Sequence, residues 1–112
     1  MSPEIKPLLI LVEDDDDDAL LVQEAIEELK LPIQLKRVKD ATQLFDFLYQ
    51  DPLKPSLVLL DLNLPQMNGK EILSHMKQHE ASRSIPIVIY TTSQNPDDIR
   101  QCYQLGANAF IR

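Results

Sequence analysis

Three acidic residues stand where apolar stretches of chain give out. The run Leu8–Val12 is unbroken hydrocarbon and leads into Glu13 and Asp14, and residues 57–60, the most apolar run, lead into Asp61. A strand that ends in a carboxylate places it at the rim of a sheet, and open α/β sheets bind ligands beyond the carboxyl ends of their strands. If the two strands are neighbours, three carboxylates converge and repel one another unless a cation lies between them. Hard oxygen ligands on a partly open site suit Mg²⁺, which takes one or two carboxylates, a carbonyl and waters. A carboxylate beside that ion can attack a phosphoryl group and hold it as an acyl phosphate. A nearby hydroxyl can then hold the transferring oxygens. Thr91 and Thr92, after the apolar run Ile87–Tyr90, supply hydroxyls on the same rim.

Other chemistry competes for these residues. Acids before a helix often serve as caps and favour the positive end of its dipole, which suits residues 15–18. Capping one helix does not explain an acid that ends a separate strand. The spacing of Asp14, Asp16 and Asp18 suits the start of a calcium loop, but the glycine and the bidentate glutamate that such a loop needs are Ala19 and Ala25. His75 and His79 lie one helical turn apart, yet Met76 stands where a zinc protease has its glutamate, so both are read as surface histidines.

The elements that position the acids follow from periodicity. After the acidic run, Ala19, Val22, Ile26 and Leu29 recur at helical spacing, and Pro32 is expected to stop that helix. A more polar strand, Gln34–Val38, precedes a helix over Leu44, Phe45, Phe47 and Leu48. Pro65 and Gly69 mark a loop after Asp61, and a helix over residues 70–79 buries Ile72, Leu73 and Met76. Pro96 suits the first turn of a fourth helix, which carries Ile99, Cys102, Tyr103 and Leu105 to a stop at Gly106. Ala109–Ile111 begins a fifth strand. Strands joined by helices run parallel with right-handed crossovers, so the fold class is an open, doubly wound α/β sheet in one domain over residues 1–112.

Composition narrows the partners. The chain has 112 residues, 44% of them hydrophobic and 26% charged, as in ordinary soluble domains. Its charge of −7 sits almost wholly in the six carboxylates at 13–18, which argues against phosphate-backbone binding. The one basic cluster, Lys36, Arg37 and Lys39, reads as charged protection of an edge strand. No apolar run reaches the length of a membrane span, and Met1, Ser2, Pro3 and Glu4 do not form a secretory leader. A single cysteine, Cys102, excludes an internal disulfide and reads as a packed, inert thiol. The cytoplasm is the expected location.

Taken together and in order, Val12-Glu13-Asp14, Leu59-Leu-Asp61-Leu-Asn-Leu-Pro65-Gln-Met-Asn-Gly69, Ile89-Tyr-Thr91-Thr-Ser93 and Gly106-Ala-Asn-Ala-Phe110 resemble the receiver domain of two-component response regulators. The likeness covers the whole chain. It implies a flavodoxin-like sheet of strand order 2-1-3-4-5. It makes Asp61 the acceptor of phosphate from a sensor histidine kinase. Asp14, Asp61 and the backbone carbonyl of Asn63 would ligate Mg²⁺, with Glu13 acting mainly through water. Thr91 would bind the phosphoryl group and move inward, and Phe110 would rotate as the switch aromatic. The Thr-Thr-Ser run resembles stand-alone receivers that serve bacterial and cyanobacterial phytochromes, so a phytochrome-type kinase is the expected donor. The protein would be a switch that catalyses only its own phosphorylation and dephosphorylation, with no nucleic acid or membrane partner.

The family carries a lysine just after its fifth strand and then a final helix, and the position of that lysine falls one past Arg112. The first and last helices would share one sheet face. Each Leu or Ile left wet there forfeits about 1.5–3 kcal/mol against a total stability of about 5–15 kcal/mol. The expectation is that the natural chain continues past Arg112 or that a partner covers the bare face. A homodimer through the fourth helix, the fifth strand or that face is a further expectation. Two alternatives are a receiver-like scaffold that takes no phosphate and a haloacid-dehalogenase-type phosphatase. The phosphatase needs a second aspartate at the position of Asn63 and a cap domain.

Overall fold

A buried strand must pair every backbone N–H and C=O, and four apolar stretches and one more polar one satisfy that requirement by pairing with one another. In the computed structural model, which describes residues 6–50, 54–64, 67–91 and 95–111, the order is β1 (Leu8–Val12), α1 (Asp16–Glu28), β2 (Gln34–Val38), α2 (Ala41–Gln50), β3 (Leu57–Asp61), α3 (Gly69–Gln78), β4 (Ile87–Tyr90), α4 (Pro96–Gln104) and β5 (Ala109–Ile111). The strands are all parallel in the order β2-β1-β3-β4-β5. The doubly wound α/β architecture is therefore as expected, and β1 lies beside β3. Pro65, Thr92, Ser93 and Arg112 lie outside the described residues.

Strand side chains alternate between faces. One alternation, Ile10, Val12, Val58, Leu60, Ile87 and Ile89, is fully buried and joins Leu44 and Leu48 of α2, Ile72, Leu73 and Met76 of α3 and Cys102 of α4 in a single core. The other includes Leu57, Leu59, Val88 and Tyr90, all only partly buried, and Ile111 is 54% exposed. That second face meets α1, where Ala19 alone is buried.

Three helix expectations need correction. The stripe proposed for α1 is not buried as a unit: Val22 and Ile26 are half-buried, and Leu29, the C-cap, is 68% exposed. Periodicity marks residues able to pack, but one helix on a broad sheet face excludes water only along its contact line. Pro32 does not stop α1 either. The helix closes on Lys30, whose φ of 53° is left-handed, with Leu31 N–H donating to Ile26 and Lys30 N–H to Glu27. The last turn of α4 closes the same way, with Gly106 at φ 109° and Ala107 N–H donating to Cys102. Finally, α3 begins at Gly69 rather than Lys70, capped by the Asn68 side chain, and His79 is its C-cap. In α4, Pro96 opens the helix as expected and Cys102 is buried, but Tyr103 is 49% exposed.

Candidate functional site

The β1–β3 pairing, Val12 opposite Leu60, sets the two acidic strand ends side by side. Glu13, Asp14 and Asp61 each offer an oxygen within 4.8 Å of the others. Asp61 is the last residue of β3, paired with Tyr90 of β4, so sheet hydrogen bonding fixes its backbone. Its Oδ1 accepts from Asn63 N–H at 3.0 Å. Gly69 packs against this turn, where a Cβ would stand 2.8 Å from both the Asp61 carbonyl oxygen and Leu62 Cα. Only glycine lets α3 begin that close to the acid.

Glu13 is held on several sides. Its N–H donates to the Val38 carbonyl at 3.0 Å, and its own carbonyl accepts from Arg37 Nε at 2.8 Å. Oε1 accepts a 2.7 Å bond from the Tyr90 hydroxyl, and Oε2 accepts from Asp15 N–H at 3.3 Å. The residue is 1% exposed. Burial raises its carboxyl from 4.5 to about 7; the Tyr90 bond pulls against that shift, and Asp61 adds to it by hydrogen bond and by charge. Burial and the adjacent Glu13 drive the Tyr90 phenol far above its ordinary value, so it stays a donor.

The remaining expected residues fall on the same rim. Thr91 is buried, its N–H donates to the Ile111 carbonyl at 3.1 Å, and its Oγ1 accepts from Asn63 Nδ2 at 3.1 Å. Phe110 lies opposite Ile89 in the β4–β5 pair and packs, half-buried, against the main core. A cavity of about 360 Å³ opens between α1 and the strand ends, with Glu13, Asp61, Tyr90 and Thr91 on its polar side and Leu21 and Ile111 on its apolar side.

The acids at 15–18 mainly serve the start of α1, although Asp18 also lines the cavity beside Glu13 and Asp61. Asp15 is the N-cap of α1, accepting from Asp18 N–H, and residues 16–18 form the first turn. The basic cluster does more than guard an edge: β2 is an edge strand, but Arg37 also binds Asp16 at 2.7 Å and lowers that carboxyl's pKa through the hydrogen bond. His75 and His79 are exposed; the first packs at a tilt against Phe45 and the second stacks on Tyr49.

Sequence reasoning missed Tyr90, Arg37 and the side chain of Asn63. The one available signal for Tyr90 was parity, because the residue after Ile89 must face the other side of the sheet. Arg37 and the Asn63 amide act through contacts that only the folded chain creates.

Three convergent carboxylates need compensating charge. Among the described residues the ion pairs involve Asp16, Asp97 and Asp98, not Glu13, Asp14 or Asp61. An all-oxygen donor set at a strand-end rim therefore fits a hard divalent cation. Among the described residues no helix is long and apolar enough to cross a membrane.

Comparison with known proteins gives matching results. The model of the response regulator receiver domain matches residues 9–112. Response regulator Rcp1 of Synechocystis sp. is 37% identical over 118 residues, covering 99% of this chain and 80% of its own. The crystal structure of the phosphorylated cyanobacterial phytochrome response regulator RcpA superposes with a TM-score of 0.87 at 36% identity, covering 96% of this chain and 80% of that one. The Mn²⁺-bound form of Rcp1 gives 0.85 at 36% identity, with 94% and 79% covered.

Proposed function

The chain belongs to the response regulator receiver domain family, and from that premise we propose that Asp61 accepts a phosphoryl group from a sensor histidine kinase in a Mg²⁺-dependent reaction that switches protein contacts. The observation that carries the proposal is the convergence of Glu13, Asp14 and Asp61. Asp14, Asp61 and the Asn63 carbonyl would hold the ion, with Glu13 reaching it through water. When bound, the ion neutralises charge on the transferring phosphoryl oxygens.

The reaction is a displacement at phosphorus. An Asp61 carboxylate oxygen forms the new P–O bond as the P–N bond to the donor histidine breaks. The imidazole leaves with that electron pair and takes up a proton. Thr91, which accepts from Asn63 in the resting protein, turns its hydroxyl to the new phosphoryl group. The Asn63 bond is then given up, and Phe110 moves toward the space vacated. Phosphorylation thus selects between two packings of one region, by binding one better than the other. The chain catalyses only this transfer to itself and its own dephosphorylation, in which water displaces the Asp61 carboxylate from phosphorus and phosphate leaves, in the cytoplasm. The likeness to Rcp1 and RcpA supports a phytochrome-type kinase as donor. Self-association through α4, β5 or the partly bare face belongs to the same proposal, since Tyr103 and Ile111 stand exposed there. A concentration-independent monomer in sedimentation, with and without phosphorylation, removes that part.

The test is incubation with acetyl phosphate. Phosphoryl incorporation should require Mg²⁺, stop with EDTA and be lost in Asp61→Asn. Incorporation retained in that variant would place the acceptor elsewhere.

A further inference from the structure

We propose that Tyr90 is a positioning residue for the cation site, its hydroxyl clamping one oxygen of Glu13 so that the other faces the ion's water shell. The inference rests on the reading of Glu13, Asp14 and Asp61 as that site. Tyr90 Cα pairs with Asp61 in the β4–β3 ladder, yet its phenol reaches past β3 to a residue 77 positions earlier, bonding Glu13 Oε1 at 2.7 Å. A glutamate side chain has several rotatable bonds; besides the Tyr90 bond, the Asp61 carboxyl shares a hydrogen bond with it, and Oε2 accepts a long 3.3 Å one from Asp15 N–H. The short bond therefore fixes the carboxylate, and the weak one leaves Oε2 able to accept from a metal-bound water. A phenol, protonated at neutral pH, donates without adding charge. A lysine in its place would bring a cation into competition with the metal.

Partners that orient a metal's ligands typically change affinity about 10–100-fold when removed. Tyr90→Phe deletes only the oxygen and keeps the ring between α1 and the strand ends. Calorimetric titration of the purified protein with Mg²⁺ alone should show binding about tenfold weaker in Tyr90→Phe, with the melting temperature in EDTA nearly unchanged. In a Glu13→Gln background, which is itself weakened, adding Tyr90→Phe should change affinity little, because the two residues act through one bond. Glu13→Asp, which draws the acid away from an intact Tyr90, should weaken binding similarly and carries the test if Tyr90→Phe does not fold. Wild-type affinity in Tyr90→Phe, or additive losses in the double variant, overturns the inference while leaving the site itself standing. A wild-type protein that binds no Mg²⁺ overturns both.

Discussion

At the scale of single residues, Glu13 carries the clearest electrostatic signature. Its carboxyl sits at about 7 in the fold, against 4.5 ordinarily. An acid with a raised folded pKa is favoured in its protonated form, so the folded state holds one more proton than the unfolded chain between those values. Stability from this group is full below about 4.5 and falls as pH rises to about 7. In EDTA the loss should be up to about 3 kcal/mol, and the wild type minus Glu13→Gln difference in denaturant melts should isolate it. Identical pH slopes would contradict this. The Cys102 thiol, raised by burial, should resist thiol reagents until the protein unfolds. The acids were legible in the sequence because two apolar runs end in carboxylates. Their convergence was not, because it depends on β1 lying beside β3, and periodicity does not report strand order. The family resemblance supplied that order, and it supplied the roles proposed for Thr91 and Phe110.

At the scale of elements, two backbone positions tie local geometry to stability and to the site. Lys30 adopts a left-handed conformation that costs a residue with a side chain about 1–2 kcal/mol. Lys30→Gly should therefore stabilise the protein, by about 1 kcal/mol or less once the glycine's extra unfolded-state entropy is counted, as an upward shift in melting temperature. Gly69→Ala should do the reverse. A Cβ 2.8 Å from two backbone atoms of the Asp61 turn cannot be relieved by a side-chain rotation. The loop must shift, at about 1–3 kcal/mol, and Mg²⁺ binding should weaken with it; unchanged affinity would show that the turn does not position the acid. Gly69 was legible as a break in helical pattern, but its close approach to β3 was visible only in three dimensions. The α1 stripe was over-read for a related reason. Apolar spacing states which residues could be buried, and Leu29 shows that burial also needs something to cover them.

For the whole molecule, the sheet has one face closed by three helices and one that meets α1, and the acidic cluster proposed to hold the cation sits at the rim above both. The architecture was legible because its apolar strands alternate with amphipathic helices, and parallel strands joined by helices leave few topologies. The partial exposure of Leu57, Leu59 and Val88 was not readable from their hydrophobicity, which is that of fully covered strands. A ligand that binds only the folded state stabilises it by mass action, about 2.7 kcal/mol at a hundredfold excess over Kd. Mg²⁺ should accordingly raise the melting temperature of the wild type, and much less that of Asp14→Ala; an equal rise in both would place the ion outside the acidic cluster. The most direct single measurement is borohydride reduction of the protein after acetyl phosphate and Mg²⁺ treatment, followed by peptide mass spectrometry. An aspartyl phosphate is reduced to homoserine, so homoserine should appear at position 61 and nowhere else. Homoserine at another aspartate, or none at all, would contradict Asp61 as the phosphoryl acceptor.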